Sequence, residues 1–338
     1  MKQLSMIALV MMSTLPATPA FARDQIRVVG SGTVFPFVAM AAEQFGKAGK
    51  FRTPVVEATG TGGGFKLFCS GTDLATADMS NASRPMLPDE EKQCEKNGVV
   101  RWTQLTIGYD GIAIARKKQG NPIILTKKDL FLALAHQVPV DGKLVANPYT
   151  RWREVNPGLP DIPIKMYGTT PTSGTRDTFV ELVMHESCEH FSEFKTVYPD
   201  KKKYKAACGA IREDGVYIEA GEDYNATAKK LINDPQAFAI FGYSFLDQNA
   251  SIIQGMLLDG AAPSFENIAN GKYGLSRKLY VYVKNDHVGQ VPGLAEFARE
   301  LTSEAAVGTY GYIVDKGAVP LPEADRAKQR ALAAALKQ

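Results

Sequence analysis

Three short stretches rich in Gly, Ser and Thr constrain the fold of this chain most strongly. They lie at residues 30–35 (GSGTVF), 59–64 (TGTGGG) and 172–176 (TSGTR). Glycine lets backbone N–H groups approach a ligand closely, and hydroxyls add neutral donors. A helix that begins at such a turn adds about half a positive charge at its N-terminus. If the three turns converge, they would form a cage of hydrogen-bond donors for a small oxyanion.

The segments around these turns predict the fold class. Short apolar runs that are typical of strands precede them, at 26–29, 54–57 and 164–168. Apolar residues at helical spacing follow them, at 37–45, 65–68 and 179–184. This alternation of strand, turn and helix predicts an α/β protein with a largely parallel sheet.

Two further segments share a Gly-Tyr pair inside a strand-like run, at 106–114 and 239–245. Glycine within a strand marks a bend or a close backbone approach. Two such strands could cross between two lobes and act as a hinge, although two ordinary core strands would have the same composition. The hinge interpretation predicts a first lobe of residues 23–108 plus 244–338 and an inserted second lobe of residues 112–240.

The N-terminus has the pattern of a signal peptide. Lys2 supplies the positive start, residues 6–12 the apolar centre, and Ala20-Phe21-Ala22 an A-x-A cleavage site. A buried N-terminal helix is the alternative. No cysteine follows the cleavage site, and no later stretch approaches about 18 consecutive apolar residues. We therefore expect a soluble periplasmic protein, exported and cleaved after Ala22.

Charge and composition exclude several classes of protein. Lys and Arg number 39 against 36 Asp and Glu, and removal of residues 1–22 takes away only Lys2, which leaves 38 − 36 = +2. This balance argues against a nucleic-acid partner. A hydrophobic content of 45% excludes general disorder.

The four cysteines predict two disulfides, because an even number in an exported chain indicates pairing. We expect Cys69–Cys94 and Cys188–Cys208, since each bond closes a short local loop. Free buried thiols are the alternative. The absence of a CxxC spacing gives no support to a zinc site or thioredoxin-like redox chemistry.

In four motifs the chain resembles the periplasmic phosphate-binding proteins of ABC transporters, over nearly the whole mature chain. The motifs lie at 30–36 (GSGTVFP), 61–66 (TGGGFK), 82–85 (ASRP) and 173–176 (SGTR). The resemblance implies a type II periplasmic binding protein fold. In that fold two α/β lobes, each a mostly parallel sheet flanked by helices, are joined by two hinge strands and close on the ligand. It also implies a monomer that binds inorganic phosphate and delivers it to a membrane permease, without a cofactor or enzymatic activity.

The same resemblance implies which residues bind phosphate. They are Thr33, Val34, Phe35, Thr61, Ser83, Arg84, Ser173, Gly174, Thr175 and Arg176. The first turn would give a hydroxyl and a main-chain N–H, and the second a hydroxyl from Thr61.

Two positions depart from the family pattern. Many members have an aspartate where this chain has Arg84, and that aspartate helps to distinguish protonated phosphate from sulfate. Many also have an arginine where this chain has Thr169. Arg84 and Arg176 are therefore the candidate charge partners of the anion.

Two other functions remain open at this stage. One is binding of another oxyanion, such as sulfate, molybdate or a phosphonate. The other is an exported phosphoester hydrolase, which would need a nucleophile with a base, or clustered metal ligands. The cluster at 185–190 (HESCEH) is a poor metal site, because His185 and His190 are five residues apart and lie on different faces of a helix. We predict no catalytic and no metal-binding residues.

Overall fold

A computed structural model describes residues 24–171, 173–221 and 223–336. The predicted signal peptide, residues 1–22, and its cleavage site lie outside the described residues, as does Thr172 of the third turn. Among the described residues, no helix is both long and apolar enough to span a bilayer.

Strands and helices alternate along the chain, which confirms the predicted α/β class. The strands are β1 (Arg27–Gly30), β2 (Val55–Ala58), β3 (Met79–Ala82), β4 (Trp102–Lys117), β5 (Ile124–Leu125), β6 (Gln137–Val140), β7 (Lys143–Ala146), β8 (Met166–Gly168), β9 (Tyr217–Glu219), β10 (Phe238–Gly242), β11 (Ile253–Gly255), β12 (Leu257–Leu258) and β13 (Ser276–Lys284). The helices are α1 (Phe35–Lys47), α2 (Thr61–Phe68), α3 (Pro88–Lys96), α4 (Lys127–Leu134), α5 (Trp152–Val155), α6 (Gly174–Phe179), α7 (Glu186–Cys188), α8 (Ser192–Val197), α9 (Lys201–Gly209), α10 (Tyr224–Asn233), α11 (Tyr243–Gln248), α12 (Phe265–Ala269), α13 (Leu294–Glu300), α14 (Glu304–Val307), α15 (Tyr312–Asp315) and α16 (Glu323–Ala334). A π-helical segment, Val180–His185, continues α6 into α7, and a 3₁₀ turn, Asn285–His287, follows β13.

The main sheet has the strand order β2-β1-β3-β13-β4-β10-β8-β9, with β11 added beside β4. Strands β2, β1 and β3 are parallel, and so are β10, β8 and β9. The carboxyl ends of parallel strands meet at one edge, where ligands of open α/β sheets bind. The residues that follow β1 and β3 therefore lie side by side.

Strand β4 is shared by the two lobes. Residues 102–111 pair with β13, and residues 112–115 pair with β10. The predicted crossing segment at 106–114 lies within this strand. At the crossing Arg277 of β13 is the register partner of Asp110.

The second predicted crossing, at 239–245, stays a prediction. It contains most of β10, which pairs with β8 and with the distal half of β4, and then the start of α11. Strands β11 and β12 pair with β4 and β5 on the same side. The predicted lobe boundary at residue 244 stays a prediction. Strand pairing favours a later position for the return of the chain to the first lobe, at β13.

Each lobe has its own apolar core. The first is built around Val28, Val38, Val281 and Phe297. The second is built around Phe131, Trp152, Phe179 and Phe238. These side chains are nearly or completely buried, which fits the expectation of two lobes that each bury a substantial core.

Both predicted disulfides are confirmed. Cys69–Cys94 joins the end of α2 to α3 in the first lobe. Cys188–Cys208 joins the end of α7 to α9 in the second lobe. Each bond therefore fixes a helix that begins at, or continues from, one of the three turns.

A buried polar cluster fixes the loop at 71–76, between α2 and β3. Lys284 is fully buried, and its Nζ donates to Gly71 O and Thr76 Oγ1 at 2.7 Å. The fully buried His287 has Nδ1 2.6 Å from Asp78 Oδ1 and Nε2 3.1 Å from Thr72 O. The cluster ties this loop to the 3₁₀ turn after β13.

Candidate functional site

The three Gly/Ser/Thr turns lie at the N-termini of three helices. Val34 caps α1, Gly60 caps α2 with a φ of 76°, and Ser173 caps α6. The first N–H groups of a helix have no acceptor within the helix, and the helix dipole makes them attractive to an anion. Each turn therefore presents main-chain donors at its tip.

Contact between two glycines joins the first turn to the second. A Cβ added to Gly64 would lie 2.5 Å from Gly30 Cα and 2.9 Å from Ser80 Oγ. Only glycine leaves room for α2 to approach the end of β1 this closely. The predicted convergence of these two turns thus rests on a backbone-to-backbone contact.

The third turn approaches the first from the other lobe. A Cβ added to Gly174 would lie 3.6 Å from Thr33 Cα, and one added to Gly32 would lie 3.4 Å from Asp177 Oδ2. Partial desolvation raises the pKa of the Asp177 carboxyl, and the Glu181 carboxylate raises it further. The structure therefore brings all three turns together, with a carboxyl at their edge.

Several predicted hydroxyls are buried in this region. Thr33, Ser83 and Ser173 are each 5% exposed. Thr61 Oγ1 lies 3.2 Å from Ser83 Oγ and accepts the Ser83 N–H at 3.3 Å. Since the Ser83 N–H takes an acceptor position on Thr61, the Thr61 O–H is left to donate, either to Ser83 or to a ligand.

Some of the predicted donors already have partners. The Phe35 N–H donates to Ser31 O at 3.0 Å, and the Ser173 N–H donates to Thr170 O at 3.0 Å. Thr175 Oγ1 lies 2.5 Å from the Tyr224 hydroxyl. These contacts hold the first and third turns in shape.

Arg84 is held by a carboxylate of its own lobe. Its Nη1 and Nη2 each lie 2.8 Å from Glu90, and Nη1 also donates to Pro85 O at 3.0 Å. The hydrogen bonds that Arg84 donates to Glu90 raise the pKa of Arg84. Glu90 also accepts the Leu87 N–H at the start of α3. The Arg84–Glu90 pair therefore attaches residues 84–87 to α3.

Arg176 stacks on an aromatic ring. Its Cζ lies 4.4 Å from the centroid of Tyr217, and the Tyr217 hydroxyl donates to Thr169 O at 3.0 Å. In the part of the chain that the structure describes, Arg176 Nη1 and Thr169 Oγ1 are buried without a hydrogen-bond partner. Arg176 and Thr169 thus lie beside the same tyrosine, Tyr217. Thr169 stands where many family members have an arginine.

Arg277 was not predicted from the sequence, yet its side chain lies between the first and third turns and is only 9% exposed. Its Nη2 donates to Thr33 Oγ1 at 2.9 Å and to Thr178 Oγ1 at 2.8 Å. Its Nε lies 3.4 Å from Asp110 Oδ2, and its Nη1 pairs with Glu181. We call these five residues the Arg277 cluster.

Sequence patterns alone offered little reason to choose Arg277. It lies 244 positions from Thr33 and belongs to no Gly/Ser/Thr motif. The one available signal was Asp110 inside the Gly-Tyr-Asp-Gly segment of β4, because a carboxylate in a predicted crossing strand needs a partner.

A cleft of about 610 Å³ opens between the lobes beside Thr61 and Ser83. Its first-lobe wall is basic, and its second-lobe wall is mostly acidic. The basic residues are Arg84, Arg277 and Lys278 on the first wall and Lys205 on the second, and the acidic residues are Glu181, Glu186 and Glu189. The acidic wall belongs to the π-helical segment and to the residues just after it.

His185 also lines the cleft, with Nε2 3.2 Å from Lys205 O. Burial lowers the pKa of His185, and Lys205 lowers it further. Within residues 24–171, 173–221 and 223–336, no three His, Cys, Asp or Glu side chains form a group that could hold a metal ion.

Comparison with known proteins gives matches along most of the chain. A family model described as a PBP superfamily domain matches residues 15–305. Protein SphX from Synechocystis sp. is 30% identical over 329 residues, which span 94% of this chain and 84% of that protein. The phosphate-binding protein PstS of Staphylococcus saprophyticus is 28% identical over 312 residues, which span 90% and 83%.

Solved structures agree on the fold. The crystal structure of a possible phosphate binding protein from Planctomyces limnophilus superposes with a TM-score of 0.73 at 24% identity, covering 93% of this chain and 99% of that chain. An ABC-type phosphate transport receptor from Vibrio cholerae superposes with a TM-score of 0.58 at 18% identity, covering 88% and 100%. At these identities the likeness establishes the two-lobed binding-protein architecture.

Proposed function

This chain belongs to the PBP superfamily, and we propose that it binds inorganic phosphate between its lobes and delivers it to the permease of an ABC transporter. The observation that carries the proposal is the contact between the turns of the two lobes, where Gly174 lies against Thr33. Helix N-termini and hydroxyls from both lobes would surround one small anion there. The name of the PstS relative supports phosphate as that anion.

The binding residues are proposed as predicted from the sequence. They are Thr33, Val34, Phe35, Thr61, Ser83, Arg84, Ser173, Gly174, Thr175 and Arg176. Neutral donors would make most of the contacts. Closure of the two lobes around β4 and β13 would complete the cage, because each lobe holds only part of it.

The proposal includes export and a binding role. We propose that the signal peptide is cleaved after Ala22 and that the mature protein acts in the periplasm as a monomer, without enzymatic activity or a nucleic-acid partner. The absence of a predicted nucleophile–base pair in the turns supports a binding protein over a phosphoester hydrolase.

Isothermal titration of the mature protein with phosphate tests the function. We expect saturable binding of one phosphate, with sulfate, molybdate and methylphosphonate binding at least about tenfold more weakly, since a polar site discriminates through unpaired groups. A phosphatase assay with and without divalent metal ions completes the test. Failure to bind phosphate at micromolar protein, or turnover of a phosphoester, would contradict the proposal.

Thr175→Val tests one proposed donor. The exchange keeps the side-chain volume and removes the hydroxyl that lies beside Tyr224. If this hydroxyl donates to the anion, the loss costs about 1.5–3 kcal/mol, or roughly tenfold to a hundredfold in the dissociation constant. Tyr224→Phe is the matched control, because it removes the neighbouring hydroxyl and leaves Thr175 intact. A change below about threefold for Thr175→Val would show that its side chain does not contact the ligand.

A further inference from the structure

We infer that Arg277 supplies the positive charge to the bound anion and that Glu181 competes with the anion for this guanidinium. The inference rests on the proposed function, because it concerns the same cleft. It assigns a role to two residues outside the family motifs, at the point where the chain crosses between lobes.

Position supports this role for Arg277. Its guanidinium reaches Thr33 at 2.9 Å on the first lobe and Thr178 at 2.8 Å on the second. It also lines the interlobe cleft together with Thr61 and Ser83. A cation placed there is within reach of the space that the three turns surround.

Arg277 also orients a hydroxyl. Thr33 Oγ1 accepts an N–H from Arg277, so the Thr33 O–H is free to point to another acceptor. A bound oxyanion is that acceptor. Arg277 therefore acts both through its own charge and as a positioning residue for Thr33.

The two carboxylates of the cluster are not equivalent. Asp110 is 13% exposed and also accepts the Thr178 hydroxyl at 2.6 Å, so it is held in place. Glu181 is 46% exposed and lies on the acidic wall of the cleft. Water reaches the Glu181 side of its ion pair with Arg277 and weakens it, so Glu181 is the partner that an incoming anion displaces.

Each of the other two arginines of the site contacts a residue of its own lobe. Arg84 gives both Nη atoms to Glu90, and Arg176 stacks on Tyr217. Arg277 alone among these three contacts hydroxyls on both sides of the cleft. Once Glu181 leaves, Nη1 of Arg277 becomes available for a charge-assisted contact with a tetrahedral oxyanion.

Opposite effects of two variants test the inference. We expect Arg277→Gln to weaken phosphate binding about tenfold or more, because a charge-assisted contact is lost. We expect Glu181→Gln to strengthen binding roughly twofold to fivefold, because a competing negative charge is removed. Lys272→Gln is the matched control, an exposed basic residue outside the cleft lining, with an expected change below about twofold. The wild-type protein and the three variants are titrated with phosphate and with sulfate at two salt concentrations.

The signs separate a binding role from a structural one. If the Arg277–Glu181 pair only held the lobes together, both variants would weaken binding, and that result would overturn the inference. An unchanged affinity for Arg277→Gln would overturn it as well. If Arg277→Gln fails to fold, as judged by circular dichroism, then Arg277→Lys and Glu181→Gln carry the test: the inference requires weaker binding for the lysine variant and stronger binding for the glutamine variant.

The wild-type titration separates this inference from the proposed function. Binding of sulfate in place of phosphate would contradict the proposed function alone, and the same variants would then be compared on sulfate. Absence of binding to either anion would overturn both.

Discussion

Gly64→Ala is expected to lower the free energy of unfolding by about 3 kcal/mol and to weaken phosphate binding sharply. The added Cβ would lie 2.5 Å from Gly30 Cα, a backbone atom that cannot rotate away. Relief requires α2 to move off the end of β1, which separates the first turn from the second. Urea denaturation and phosphate titration of the same protein measure the two effects.

The neighbouring glycine gives a matched control for stability. A Cβ on Gly63 would lie 3.5 Å from the Thr59 side chain, an ordinary van der Waals distance. Gly63→Ala should therefore leave stability unchanged or raise it by up to about 1 kcal/mol, because alanine favours the helix. Equal stability of the two variants would show that the contact between Gly30 and Gly64 does not hold the turns together.

His287→Leu is expected to lower the free energy of unfolding by about 3–5 kcal/mol. The ring is fully buried, and its two nitrogens face Asp78 Oδ1 and Thr72 O. Leucine fills the volume but offers no donor to the carboxylate or to the carbonyl. Chemical denaturation gives the free energy, and hydrogen exchange in the loop at 71–76 should rise at the same time.

His136 provides the comparison for this exchange, because its side chain is exposed. His136→Leu makes the same chemical change and should alter stability by no more than about 0.5 kcal/mol. A His287→Leu protein as stable as His136→Leu would show that the buried cluster does not stabilise the first lobe.

Features encoded by neighbouring residues were predictable from the sequence. The strand–turn–helix order is local, and each disulfide joins cysteines 25 or 20 residues apart. The three turns were recognisable because glycine and hydroxyl residues serve the same purpose wherever a helix N-terminus meets an anion. The fold class, the disulfides and the positions of the turns follow from these short-range patterns.

Features set by long-range pairing were not predictable. The segment at 239–245 has the same Gly-Tyr pattern as β4, but its strand pairs within the second lobe. Arg84 and Arg277 are both arginines on the cleft wall. Only the fold shows that Arg84 pairs with Glu90, whereas Arg277 donates to Thr33 and Thr178. Such partners depend on which strands become neighbours.

The place of β13 in the sheet has a consequence for the order of folding. This strand lies between β3 and β4, so the first lobe cannot close its sheet until residues 276–284 are present. The strands of the second lobe, β5 to β12 with the distal half of β4, are complete earlier in the chain. Because the polypeptide is synthesised from its N-terminus, the second lobe is able to fold first. Until β13 is present, β3 and the proximal half of β4 keep unpaired edges. The lobe that begins the chain is the last to be finished.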